Sequence, residues 1–324
     1  METLIDWVAN LQGWLFEACV QPLVFSMGFG GYLDQAFGAT EWLLVGLLEI
    51  AVLLTVIGPL QRWRPVEPVL DAATIRTDIF YTLLHRLGLF RLVLFFTLDP
   101  YLDAAIGTLR VWGLPTFHLD DIWPAVTGDA VVSFVLYLLV FDFFNYWFHR
   151  GQHQINLWWK LHALHHAQRQ MTMWSDNRNH LLDDVLHDVF FVLLAVLIGV
   201  APGQFVAMVA IMQLSENLQH ANLRLWFGRV GERLWVSPRF HRMHHAIGIG
   251  HESPATGPAG SPPVLGGCNF GVLLPWWDMI FGTANFTLAY PATGVRDQVE
   301  QGADYGRGFW SQQWRGVLRL VGRA

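Results

Sequence analysis

The sequence predicts an all-α integral membrane protein: a helical bundle with a histidine-rich helical cap on its cytoplasmic side, and a dimetal site held in that cap. Three observations lead there. The 324 residues are 53% hydrophobic and only 14% charged, with a mean hydropathy of +0.34, a profile of membrane rather than soluble chains. Several uninterrupted apolar stretches approach the length of about 20 residues that a transmembrane helix needs. Most of the 14 histidines fall in clusters just beyond the ends of those stretches.

The elements follow in order. The N-terminus, METLIDWVANLQGW, carries Glu2 and Asp6 where a secretory signal carries basic residues, so anchoring is expected from internal spans. Residues 12–32 are long enough to cross, but Glu17 and Pro22 make an interfacial or broken helix an equal alternative. Residues 42–60 form the clearest span despite Glu49. Residues 80–98 are apolar but interrupted by His85, Arg86 and Arg91, and residues 131–148 form a further span. The apolar run 189–214 is broken by GVAPG at 199–203, which reads as the tip of a helical hairpin. Arg62, Arg64 and Arg76 follow the first clear span, and Arg150, Lys160, Arg169 and Arg178 follow residue 148, whereas residues 99–130 are acidic. Basic residues collect on the cytoplasmic side, so 42–60 runs inward, 80–98 outward and 131–148 inward. His149 then emerges in the cytoplasm, and a returning hairpin puts everything from His220 onward there too.

This gives three segments: membrane-anchoring helices over 1–128, a catalytic domain over 129–285 and a cytoplasmic tail over 286–324. Residues 246–267, rich in Gly, Pro, Ala and Ser, read as a long loop, expected as a lid or a partner surface. The RGVLRLVGR stretch of the tail reads as a short basic amphipathic piece suited to an anionic leaflet. A net charge of −6 without a basic run excludes a nucleic-acid partner. Two cysteines, Cys19 and Cys268, make neither a disulfide framework nor a CxxC motif.

The chemistry is in the histidines. His149 and His153 lie one helical turn apart and project from one face. His162, His165 and His166 form an HxxHH, and His241, His244 and His245 form a second one. A lone buried histidine is ordinarily a satisfied core residue, but eight in three clusters are different. Unpartnered imidazoles buried together cost free energy whether neutral or protonated, and a shared cation removes both costs. Imidazole suits Fe, Cu, Zn and Ni, while Mg and Ca want oxygen. Eight nitrogens exceed what one ion holds, so two ions are implied. His180 and His220, at the feet of the hairpin, are further candidate ligands, with helix-end hydrogen bonds to Asp183, Asp184 or Asn222 as the alternative. His187 reads as an outer-shell or pore-facing group, and His85, His118 and His251 as structural or surface residues. Ligating imidazoles usually donate their other N–H to an acceptor. Asp142, two turns before His149 and inside an apolar span, is the leading candidate for such a catalytic-site role, a helix–helix hydrogen bond being the rival; Asn269, Glu216, Asn217 and Asp278 are candidates by position. Among the aromatics, Trp158, Trp159, Trp174, Trp276 and Trp277 read as belt or core residues.

The three boxes, HxxxH at 149–153 and HxxHH at 162–166 and 241–245, resemble those of the fatty acid hydroxylase and sterol desaturase superfamily of membrane di-iron oxygenases. DFFNYWFHR before the first box, RNH at 178–180, HAN at 220–222 and NFGVLLPWWDMIFGT at 269–283 are similar to that family's accompanying motifs, in the same order, over roughly residues 130–283. Leu181 departs from the family's usual Pro, and the loop before Asn269 is longer than the family's compact version. The resemblance implies two iron ions per chain, O2 activation, and hydrogen abstraction from an unactivated C–H bond of a membrane lipid, such as a fatty acyl chain or sterol-like molecule, to give an alcohol or an alkene. No dinucleotide fingerprint, haem domain or iron–sulfur motif accompanies the boxes, so a separate electron donor, a cytochrome b5-like protein, a ferredoxin or a reductase, is expected. Two other classes compete. A metal transporter would place ligands near the bilayer midplane, and a zinc-stabilised scaffold would need only four ligands per ion in a closed site.

Overall fold

The computed structural model describes residues 2–115, 117–253 and 264–323, and is mostly helical. After an N-terminal helix, Glu2–Leu15, the principal helices are α1 (Gly30–Trp63), α2 (Ala72–Arg86), α3 (Leu89–Thr97), α4 (Ala130–Gln154), α5 (Asn156–His166), α6 (Leu181–Ile198), α7 (Pro202–His220), α8 (Pro238–His244) and α9 (Phe309–Leu320). Among the described residues, α1 and α4 are each long and apolar enough to cross a membrane.

Local sequence explains the boundaries. Asp129 caps α4 by accepting from the amides of Val131 and Val132, and Asp71 caps α2 in the same way; each satisfies N–H groups that have no intrahelical partner. Gly199, in the left-handed region at φ 72°, ends α6, and Pro202 opens α7, so GVAPG is the hairpin tip that its Gly and Pro predict. The 80–98 segment differs from the single apolar run of the sequence. Gly88 (φ 72°) breaks it, and α2 and α3 meet at a bend of 52°. The polar residues of α2 face the protein: Asp78, Thr82 and Arg86, spaced four apart, are all buried.

An aromatic and methionine core joins α4 to the hairpin and to the 270–274 strip through Tyr137, Phe141, Phe148, Phe191, Leu194, Met208, Met212, Val272 and Leu273. Close packing of this kind fixes the direction in which α4 emerges, and with it the first histidine box. The C-terminal segment packs on the same body. Val295 and Tyr305 are buried with Ala163 and Ala167 of the α5 region, and α9 docks on α5 and α2. Two of the three arginines expected on a leaflet, Arg315 and Arg319, are engaged within the protein. Arg315 pairs with Asp304 at 2.8 Å, and Arg319 donates to the Lys160 carbonyl at 3.2 Å while lying over the Tyr305 ring. Of the expected lid over 246–267, residues 254–263 lie outside the described residues. Its base is a short antiparallel ribbon, Glu252–Ser253 (β1) with Val264–Leu265 (β2).

Candidate metal centre

The three boxes converge. α4 delivers His149 and His153 in its last two turns, α5 delivers His162, His165 and His166, and α7 ends on His220. α8 brings His241 and His244, with His245 directly after it. Ser237 caps α8 by accepting from the Phe240 amide, with Pro238 at its first turn; this short helix is therefore held at its start and presents its box from a fixed axis. The rings of His149 and His244 lie 4.4 Å apart, those of His153 and His166 4.6 Å, and those of His220 and His241 4.3 Å.

Nine histidines sort into two groups that could each hold a metal ion. One consists of His149, His153, His162, His166 and His244, the other of His165, His220, His241 and His245; within each group the ligand atoms lie within 4.8 Å of one another. Eight of the nine are buried, and His149 is partly buried. In the second group the Nε2 atoms face each other, His220 with His165 at 3.1 Å, His220 with His241 at 3.0 Å, and His241 with His245 at 3.1 Å. Ligands at about 2.0–2.1 Å from a tetrahedral ion stand roughly 3.3 Å apart, so these separations suit a common cation. In the first group, both ring nitrogens of His153 and His166, and Nε2 of His162 and His244, are buried without a hydrogen-bond partner. Burial, followed by the neighbouring imidazoles, holds His165, His166, His241, His244 and His245 well below the usual histidine range. They are therefore neutral, the form that ligates metal.

The opposite edges of several rings are anchored. His149 Nδ1–H donates to the Phe270 carbonyl at 3.0 Å, His244 Nδ1–H to the Cys268 carbonyl at 2.8 Å, and His220 Nδ1–H to the Glu216 carbonyl at 2.8 Å with Asp176 at 3.4 Å. His162 Nδ1–H donates to Asp183 at 3.1 Å. Each bond fixes the tautomer that leaves Nε2 free for an ion. Asp183 is the acceptor that the sequence left among helix-end possibilities. Gln152 and the Trp158 indole also donate to it. Burial alone would raise its carboxyl, but the His162 and other hydrogen bonds hold it below the usual carboxylate range. Its position in the first turn of α6, facing back onto α5, was the available signal.

Other sequence candidates sit elsewhere. His180 lies outside both groups. The Leu182 amide donates to its Nδ1 at 3.2 Å, and its Nε2–H donates to the Gln313 carbonyl at 2.9 Å; with both nitrogens used it caps α6 and offers nothing to an ion. Asp142 and Asn269 touch no clustered imidazole. Asp142 accepts from the amides of Leu273 and Leu274 and from the Trp277 indole, which ties α4 to the 269–283 strip. Asn269 adopts φ 60°, in the left-handed region, and stands between Cys268 and Phe270, whose carbonyls receive His244 and His149. Its side chain donates to Phe240 and Asn285 carbonyls and accepts from the Asn285 amide. It aims two imidazoles through the backbone. Asp278 similarly accepts from the Phe270 and Gly271 amides. His187 meets Asn145 at 3.2 Å, and His85 meets Asp184 at 3.4 Å. His251, read from the sequence as structural or surface, is buried, stacked on Trp159 at 5.2 Å and 5.9 Å from the His166 ring. Sequence distance hid this, because the loop folds back onto α5.

The fatty acid hydroxylase family model matches residues 134–283. The chain is 24% identical over 249 residues to the ornithine lipid hydroxylase OlsE of Rhizobium tropici, covering 75% of this chain and 66% of that protein. It is 26% identical over 157 residues to an alkylglycerol monooxygenase of Xenopus tropicalis, 48% of this chain and 31% of that protein. Over 90 residues it is 31% identical to human lathosterol oxidase, 27% of this chain and 30% of that protein. The chain thus spans just under two thirds of the first relative and about a third of the other two. No solved structure matches it significantly.

Proposed function

The chain belongs, through residues 134–283, to the fatty acid hydroxylase family, and on that premise we propose that it is a membrane-bound di-iron oxygenase that uses O2 and externally supplied electrons to hydroxylate, or desaturate, an unactivated C–H bond of a lipid. The observation that carries this is the set of buried imidazole nitrogens without partners, gathered in two groups and free of carboxylate and thiolate. An all-nitrogen set fits iron, zinc or copper, and the family favours iron. His149, His153, His162, His166 and His244 would hold one ion, and His165, His220, His241 and His245 the other. Iron bound there would supply reduction of O2 and removal of hydrogen from carbon. The chain's own contribution is to gather the nine imidazoles and to aim His149, His162, His220 and His244 through hydrogen bonds at Nδ1. The α4 span delivers an apolar substrate to its histidine-bearing end and limits the water that reaches it.

The relatives' names speak for a lipid substrate, an ornithine lipid, an alkylglycerol or lathosterol in their cases, and we place this chain's substrate among acyl or sterol-like lipids. Residues 1–128 serve as the membrane anchor, 129–285 as the catalytic domain and 286–324 as a cytoplasmic extension, with the histidines on the cytoplasmic face and a cytochrome b5-like protein, ferredoxin or reductase as donor. A transporter reading is less well supported, since the ligands gather at the end of α4 rather than along its middle. The test is elemental analysis of the purified protein together with lipid mass spectrometry under O2 and a reductant. The expected result is two irons per chain and a product one oxygen heavier or two hydrogens lighter. His165→Ala and His244→Ala abolish turnover without loss of membrane insertion; full activity in both would contradict the proposal.

A further inference from the structure

Part of the surroundings of the second histidine group comes from outside the matched domain. On α2, Asp78, Thr82 and Arg86 form a buried stripe along one face. Arg178 donates to Asp78 at 2.5 Å, and Thr82 donates to the Trp174 carbonyl at 3.1 Å. Arg86 reaches furthest. Its guanidinium donates to Asn217 Oδ1 at 3.0 Å, lies 3.5 Å from Asp176 Oδ2, and pairs with Glu49 of the α1 span at 3.0 Å. The other Asp176 oxygen faces His220 Nδ1 at 3.4 Å, while Asn177 and Asn217 donate to Oδ2 at 2.8 and 3.3 Å. The sequence of α1 is built for this approach. A Cβ at Gly46 would overlap the Arg86 carbonyl, so only glycine lets the two backbones come this close, and Glu49, three residues on, shares that helix face. A carboxylate 2% exposed on an apolar span and the guanidinium 4% exposed beside it are costly unless they serve one another or a site.

We propose that Glu49 and Arg86 are positioning residues for the His165, His220, His241 and His245 group: the pair clamps Asp176 and Asn217, and so sets the orientation of His220. The inference rests on the reading of that group as a metal site. The single Arg86 guanidinium bridges Asp176 and Glu49, and Glu49 keeps it turned toward Asp176 and Asn217. Outer partners of metal-bound imidazoles typically change metal affinity by about 10–100-fold. The effect is specific to one ion, because the first group takes its acceptors from Phe270, Cys268 and Asp183.

Cobalt(II) titration of the metal-free full-length protein in detergent, followed by its visible spectrum and by cobalt per chain, tests this. The parent protein binds two cobalt ions; failure to do so would overturn the metal reading itself. The charge-balanced variant E49Q/R86M keeps the affinity for one ion and loses roughly 10–100-fold for the other, with a changed spectrum for that ion alone. In an H241A background, where the second group is already broken, E49Q/R86M weakens the remaining ion no further. If E49Q/R86M does not fold, R86K is used, whose compact ammonium cannot grip Asn217 and Asp176 at once; it shows a smaller loss confined to the same ion. Two ions bound with parental affinity and spectra, or an equal loss at both, would overturn the proposal.

Discussion

Asn269 shows how a residue can govern a site it never touches. Its left-handed backbone and three side-chain hydrogen bonds hold the Cys268 and Phe270 carbonyls toward His244 and His149. Asn269→Ala combines a strained φ with buried groups left unsatisfied, a cost of about 1–3 kcal/mol. The expected outcome is a lower melting temperature in detergent together with weaker metal retention in the five-histidine group. Asp183 acts more directly. Replacing it with Asn removes the charge that receives the His162, Gln152 and Trp158 donors, and metal affinity at that group should fall by about 10–100-fold. Equilibrium dialysis against a chelator reads this out, and an unchanged affinity would show that His162 does not ligate. Asn269 was visible in the sequence as part of a motif, but its role was not. A motif gives residue identity, whereas the aim of a carbonyl depends on φ and on partners at 240 and 285.

At the scale of elements, helices that read as polar defects or loose ends turn out to be docked. The His85 and Arg86 interruption of an apolar run is the inner face of α2, and the C-terminal amphipathic piece is α9, held by Gln313 to Tyr81 and Asn179. α9 approaches closely enough that a Cβ at Gly316 would overlap the His180 ring. Gly316→Leu should therefore displace α9 and release His180 and Gln313. The measurable result is faster proteolysis of the C-terminal segment and loss of about 1–3 kcal/mol, the usual cost of overpacking; protease resistance equal to the parent's would mean the helix can slide without consequence. The hairpin was legible beforehand because Gly199 and Pro202 act locally. The docking of α9 was not, because an amphipathic helix fits a leaflet and a protein groove equally well.

For the whole molecule, the proposed metal binding would be coupled to the fold. The clustered histidines hang from α4, α5, α7 and the α8 turn, so an ion in each group would tie four separate segments together. A ligand that binds only the folded state stabilises it by RT ln(1 + [L]/Kd), about 4 kcal/mol at a thousandfold excess over Kd. Stripping metal with a chelator should lower the melting temperature and loosen amide protection in α5 and α8 before α1. An identical melting curve with and without metal would argue that the bundle holds these histidines unaided. Arg86 and Glu49 link the N-terminal helices to Asp176 and Asn217 beside the second group.

Hydropathy runs, helix breakers and short spacings are local properties of the chain, so the membrane character, the hairpin with its tip, and the eight boxed histidines together with His220 were legible without coordinates. Folding was needed to show how nine imidazoles divide between two groups, that His180 caps a helix, that Asp183 and Asp176 stand behind His162 and His220, and that His251 is buried against Trp159. The physical reason is that an imidazole is committed by what lies at both of its nitrogens, and for most of these rings at least one of those neighbours comes from a segment tens of residues away.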